Sequence, residues 1–227
     1  MKAHAIIVAA GQSIRFGGTT PKQFVAVCGR PLLAWTISRF EAASSISVIT
    51  VVAPADCMEL ASQAVRAGNG LKVRNVVPGG ETRSESVLAG LKTCADSAGL
   101  VAIHDGARPL VAPSDIDRVV GSAATGEAAM LAIPASDAIK RTHKGIVVTT
   151  VDRQGLYYAQ TPQVFEVSVI REAHLRRGSQ SFADDAALVE EAGVSVRIVE
   201  PTYPNIKVTR PEDLLLIEAV LRRELHV

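Results

Sequence analysis

The chain is predicted to be α/β, a mostly parallel sheet with helices on both faces and one β-hairpin arm leaving it. Three observations carry this. Short β-branched runs alternate with amphipathic stretches, helix-start signals precede several of those stretches, and 227 residues suffice for one buried core. Hydrophobic residues at 48% and charged residues at 21% match an ordinary globular protein, which argues against disorder and against a fibrous repeat.

Residues 5–10, 48–53, 73–77, 100–103 and 128–133 read as strands, being short, apolar and rich in Val and Ile. Helical patterns occupy 31–43, 56–67, 82–96 and 114–124 between them. This alternation makes neighbouring strands parallel and puts a ligand crevice at their carboxyl ends. Asp56 with Glu59, Thr82 with Glu85 and Thr209 with Glu212 each have the spacing of a capping box. After the fifth strand, residues 134–155 turn polar and alternating around Lys144-Gly145, which predicts a hairpin. Because an isolated two-stranded ribbon is marginal in water, the arm is expected to pack on a second subunit, giving a homodimer. Further strands are expected at 164–165 and 195–199, a short helix at 184–192 and a closing helix at 211–221. The whole, 1–227, reads as one domain with a dimerisation arm at about 134–155.

Lys and Arg number 24 against 23 Asp and Glu, so the chain lacks the basic excess that nucleic-acid binding leaves. Cys28, Cys57 and Cys94 have no CxxC spacing and no paired histidines, and they read as buried thiols of a reducing compartment. The apolar run 5–10 is too short for a secretory leader and turns at once into Gly11, so a cytoplasmic location with no membrane contact is expected.

The stretch after the first strand, Ala9-Ala10-Gly11-Gln12-Ser13-Ile14-Arg15-Phe16-Gly17-Gly18 and then Pro21-Lys22-Gln23, has the ingredients of a phosphate cradle. Glycine lets backbone N–H groups approach phosphate oxygens, and Arg15 and Lys22 add positive charge. The stretch is neither GxxxxGK[ST] nor GxGxxG, which removes the main support for a P-loop NTPase or a dinucleotide site. A solvated surface loop fits the same residue types. His104-Asp105-Gly106-Ala107-Arg108-Pro109 closes the fourth strand, where Asp105 can hold Mg²⁺ or ribose hydroxyls and Arg108 can hold a phosphate. A local Asp105–Arg108 turn pair is the alternative, and His104 reads as a packing or orienting residue. Arg153 and Lys207 taken alone read as surface charge.

Assembled in order, these pieces resemble the 2-C-methyl-D-erythritol 4-phosphate cytidylyltransferase family. The matching stretches are Ala9-Ala10-Gly11 with Arg15, Pro21-Lys22-Gln23, Gly79-Gly80-Glu81-Thr82-Arg83 with Ser86, His104 to Pro109, Asp152-Arg153-Gln154-Gly155-Leu156, Gln160-Thr161-Pro162-Gln163 and Asn205-Ile206-Lys207-Val208-Thr209-Arg210-Pro211. The resemblance implies a Rossmann-like nucleotidyltransferase fold, CTP and methylerythritol phosphate as substrates, a Mg²⁺ requirement and a homodimer with embracing arms. It assigns Arg15, Lys22 and Lys207 as catalytic cations. Ala9, Ala10, Gly11, Gly80, Ser86 and Asp105 would surround the nucleotide, Asp105 also facing a metal held mainly by the CTP phosphates. Arg108, Arg153 and Thr161 would serve the acceptor, Arg153 in the other subunit's site.

Two positions depart from the family's pattern. Ala138 follows Asp137 where a threonine is common, and Ala183 precedes Asp184-Asp185 where the family has a threonine. Ribitol 5-phosphate is the alternative acceptor, although its enzymes generally have Ala-Gly-Gly in place of Ala9-Ala10-Gly11. A non-catalytic nucleotide sensor would need fewer cations, and a NAD-dependent oxidoreductase lacks its glycine fingerprint here.

Overall fold

The computed structural model describes residues 2–11, 16, 20–95, 99–123, 127–178, 180–202 and 204–225. Its elements in chain order are β1 (Ala3–Val8), β2 (Ala26–Val27), β3 (Arg30–Pro31), α1 (Leu32–Ala42), β4 (Ile46–Ala53), α2 (Met58–Ala67), β5 (Val73–Pro78), α3 (Arg83–Leu91), β6 (Leu100–Asp105), α4 (Pro113–Ala123), β7 (Ala128–Pro134), β8 (Ile139–His143), β9 (Ile146–Val151), β10 (Tyr157–Glu166), α5 (Val167–Arg176), α6 (Asp185–Glu191), β11 (Val196–Val199) and α7 (Asp213–Glu224).

The main sheet has the order β11-β7-β10-β6-β1-β4-β5. Only β10 runs against its neighbours; every other pair is parallel. The central strands β1 and β6 are buried on both faces, which is why they read as continuous apolar runs rather than alternating ones. Alternate residues feed opposite cores. Ala5 and Ile7 pack with α1, α2 and α4 residues such as Phe40, Ala61 and Val119, while Ile6, Val101 and Ile103 pack with Val87, Ile170 and Val189 of α3, α5 and α6. A third cluster joins Val27, Leu32, Trp35 and Leu110 to Val208, Ile217 and Leu221, docking α7 beyond the carboxyl end of β6.

The predicted hairpin is β8 paired with β9, turning through Lys144 (φ 47°) and Gly145 (φ 79°). Two consecutive left-handed residues match the right-handed strand twist, and Gly at the second position keeps the strain low. The ribbon presents Ile146 and Val148 at 72% and 63% exposure, with no packing of their own to cover them.

Four expectations need correction. The Thr82–Glu85 box forms with both halves, but the other two do not. Asp56 sits in a 3₁₀ turn and α2 starts from Cys57 without a side-chain cap, Glu59 pairing instead with Arg66. At α7 the carboxylate of Asp213, not Glu212, accepts from the Thr209 N–H (2.7 Å), the Thr209 hydroxyl (2.9 Å) and the Arg210 N–H (2.9 Å). Helix α3 ends at Leu91 rather than running to 96, because Thr93 turns its hydroxyl back onto the Gly90 carbonyl at 2.7 Å and tightens the last turn. Finally, α5 has no counterpart among the expected elements.

Candidate active site

From β1 the chain builds outward through β4 to β5, then crosses back through α3 to lay β6 on the other side of β1. Strand order reverses there, so a crevice opens at the carboxyl ends of β1 and β6. It is a cavity of about 310 Å³. Val8 to Gly11, Lys22, Gln23, Gly80 to Arg83, Ser86, Asp105, Ala107, Lys207 and Thr209 line it.

Each wall has a local reason. The Gln23 amide donates to the Ala9 carbonyl at 2.6 Å and toward the Gly11 carbonyl at 3.4 Å, pinning the loop after β1. Gly80 N–H donates to Ser86 Oγ at 3.2 Å, and that hydroxyl donates to the Thr82 carbonyl at 3.0 Å, tying the loop before α3 to its first turn. The two loops meet at Gly79, where a Cβ would lie 2.4 Å from the Ala10 Cβ and 2.7 Å from Ser86 Oγ. Gly79→Ala is therefore expected to destabilise the protein by roughly 1–3 kcal/mol through overpacking and to narrow the cavity. Thermal unfolding and nucleotide titration of that variant check both.

The electrostatic centre is Asp105. Its carboxylate lies 2.7 Å from Lys207 Nζ, 3.4 Å from Arg83 Nε and 3.7 Å from Arg108 Nε. Burial alone would raise its pKa, but Lys207, then Arg83 and Arg108, overturn that and hold it well below the usual carboxylate range. Lys22 approaches from the opposite end of the chain, its ammonium donating to the Val208 carbonyl at 2.7 Å, next to Lys207. Two of the three expected cations thus share one cavity, and the third, Arg15, lies outside the described residues.

Thr161 is buried, and its hydroxyl is engaged in a chain of fixed direction. The Arg108 carbonyl can only accept, so His104 Nε2 (3.2 Å) carries the ring proton and Nδ1 accepts from the Thr161 hydroxyl at 3.0 Å. The same hydroxyl accepts from the Asp105 N–H at 3.0 Å. In this geometry Thr161 props Asp105 from behind rather than lining either cavity described here. His104 is fully buried and neutral, its pKa pushed down to about 3 by burial.

Arg108 faces a second cavity of about 510 Å³, shared with Gln160, Asn205 and Lys207. Its Nη1 donates to the Asn205 carbonyl at 2.7 Å. Arg108 Nε, Gln160 Oε1 and Asn205 Oδ1, all buried, have no hydrogen-bond partner among the described residues. Arg153 lines neither cavity; it lies exposed at the hairpin base and donates to the Ser136 carbonyl. At the second departure from the family's pattern, Asp184 caps α6 through the Ala187 N–H at 2.9 Å and Asp185 is buried against Arg83. Arg83, Glu81 and Thr209 are cavity residues that sequence reasoning did not assign to the site, although all three fall inside the stretches it picked out.

Burial also drives His174 down, to about 4, with Arg177 and Arg83 adding to the effect. Unfolded, both imidazoles take a proton near pH 6.5, so between that pH and about 4 the unfolded chain binds more protons than the folded one. Stability from these groups is complete above pH 6.5 and drains as pH falls toward 4. Thermal unfolding is expected at lower temperature at pH 4.5 than at pH 7.5, and His174→Gln should narrow the gap.

A doubly covered, mostly parallel sheet with a cation-ringed cavity at its switch point fits the architecture of a nucleotidyltransferase. Comparison with known proteins agrees. The family model for 2-C-methyl-D-erythritol 4-phosphate cytidylyltransferase matches residues 3–223. A curated protein of that name from Pelotomaculum thermopropionicum is 42% identical over 225 residues, covering 97% of this chain and 94% of that protein. One from Geobacter metallireducens is 40% identical over 231 residues, covering 99% and 100%. Among solved structures, 4-diphosphocytidyl-2C-methyl-D-erythritol synthase from Anaerococcus prevotii superposes with a TM-score of 0.84 at 27% identity, covering 97% of this chain and 96% of that one. The Thermus thermophilus cytidylyltransferase gives 0.81 at 32%, covering 98% and 100%. The chain belongs to the 2-C-methyl-D-erythritol 4-phosphate cytidylyltransferase family.

Proposed function

We propose that the chain transfers CMP from CTP to 2-C-methyl-D-erythritol 4-phosphate, releasing pyrophosphate, in isoprenoid precursor synthesis. The observation that carries this is the convergence of Lys22 and Lys207 on the backbone cradle Ala9 to Gly11 inside one cavity, in a chain that matches the family from end to end. The cytidine end of CTP lies along Gly80 and Ser86, with Asp105 toward the ribose, and the triphosphate lies along Gly11, Lys22 and Lys207, while Arg15, outside the described residues, is the third expected cation.

An acceptor phosphate oxygen attacks the α-phosphorus in line, and the bond to the β-phosphate oxygen breaks with its electron pair leaving on pyrophosphate. The acceptor is already an anion, so no general base is needed. Negative charge builds on the α-phosphoryl oxygens and the leaving group, and the cations gathered at the cavity stabilise it, Lys22 from a position already set. Lys207 leaves Asp105 to do so.

The second cavity suits a polyol phosphate. Arg108 and Lys207 answer its charge, and the bare Gln160 Oε1 and Asn205 Oδ1 are acceptors for its hydroxyls. Arg153 reaches the acceptor phosphate from a partner subunit whose exposed hairpin, rich in apolar side chains, embraces this one in a homodimer. The protein works in the cytoplasm; among the described residues no helix is long and apolar enough to cross a membrane.

Mg²⁺ is the expected cofactor, and the residues present fit it. The ion needs only one or two protein carboxylates beside phosphate oxygens, and Asp105 and Glu81, both on the cavity wall, are the ones that would hold it. When bound it supplies charge neutralisation at the triphosphate. Pyrophosphate release from CTP with methylerythritol phosphate as sole acceptor tests the reading; turnover only with ribitol 5-phosphate would reverse it.

A further inference from the structure

Arg83 stands in the wall between the main cavity and a smaller one of about 260 Å³ beside α6. One edge of its guanidinium faces Asp105. The other lies 2.7 Å from Asp185 Oδ2, and Asp185 is only 3% exposed and lines no part of the main cavity. A carboxylate this far from water must be answered by a cation. Burial raises the Asp185 carboxyl above its ordinary range, and Arg83 is the cation that opposes the rise.

Asp185 is not free to follow the guanidinium. Gln163 on β10 accepts from the Ala186 N–H at 3.0 Å and donates to Asp184 Oδ2 at 2.8 Å, fastening the start of α6 to the sheet. Asp185 is thus a fixed post, and Arg83 is strung from it to Asp105, whose other oxygen holds Lys207. Carboxylate, guanidinium, carboxylate and ammonium alternate across the cavity wall.

We infer that Asp185 is a positioning residue for the nucleotide site, acting through Arg83. It holds Arg83 against Asp105, so that the Asp105 charge is shared and Lys207 can exchange that carboxylate for a triphosphate. Without the post, Arg83 swings free, Asp105 leans on Lys207 with only the more distant Arg108 beside it, and the ammonium is kept back from the nucleotide. This rests on the reading of the main cavity as the CTP site.

Steady-state kinetics with each substrate varied in turn test it. Asp185→Asn is expected to raise the KM for CTP about tenfold while leaving the KM for the acceptor unchanged. In an Arg83→Met background the same substitution should add nothing, since its effect runs through a side chain already removed. Asp185→Glu keeps a carboxylate opposite Arg83 but shifts the post by one methylene. It should raise the CTP KM in the same direction as Asp185→Asn and add nothing in the Arg83→Met background, and it decides the matter if Asp185→Asn does not fold. A merely structural Asp185 would lower the unfolding temperature and leave the CTP KM where it was. That result, or an Asp185→Asn effect that adds fully to Arg83→Met, overturns the inference. Absence of CTP turnover by the unaltered chain overturns the reading of the cavity and this inference with it.

Discussion

Lys22→Ala is expected to lower kcat by about 10²–10³, the usual cost of deleting one preorganised electrostatic donor at a developing charge. The ammonium is aimed into the cavity by its bond to the Val208 carbonyl, so its position is set before any nucleotide arrives. The fold should survive, because Lys22 belongs to none of the three hydrophobic clusters and its bond to the Val208 carbonyl is only part-buried. Lys22→Arg should recover little: a planar fork cannot occupy the place of a compact ammonium at both a carbonyl and a phosphate. Single-turnover measurements at saturating CTP check the chemical step, and near-normal rates in Lys22→Ala would overturn the role.

Two inactive preparations are expected to restore each other. Lys22→Ala disables a subunit's own cavity, and on the proposed homodimer reading Arg153→Ala removes the residue that a subunit lends to its neighbour. Random reassociation makes half the dimers mixed, each with one intact site of two, so about a quarter of the unaltered activity should return. The basis is spatial: Arg153 lines neither cavity of its own chain, and the adjoining ribbon exposes Ile146 and Val148. Silence after mixing, with mixed dimers demonstrably formed, would place Arg153 outside the neighbouring site.

What could be read from the residues follows a physical line. Strands β1, β4 and β6 and helices α1, α2 and α4 were legible because a strand buried on both faces is a continuous apolar run, and an amphipathic helix repeats every three to four residues. Helix α5 was not. It begins straight after β10, with Glu166 at its cap and no side-chain bond there, and nothing in the sequence marks the change. The first half of β10 was missed too, since Tyr157 to Thr161 mixes exposed and polar positions and its register against β7 shifts between Ala159 and Gln163. At the site, Lys22, Asp105 and Lys207 could be picked out as residues. Their meeting could not, because a hydrogen bond between Lys22 and Val208 spans 186 positions and no local pattern encodes it. The role of Arg83 was hidden for the same reason: its partner Asp185 comes from a helix a hundred residues later.

That Lys22–Val208 clasp has a consequence for biosynthesis. A ribosome has delivered every strand of the sheet before it reaches Lys207, and α7, which seats this stretch through Ile217 and Leu221, comes later still. An interrupted translation product halting at position 200 would carry the platform but lack one cation and the carbonyl that aims another. Competence therefore arrives only once the stretch from Lys207 through α7 has been made, and a chain stopped before it has the strands of the platform without the residues that act on it.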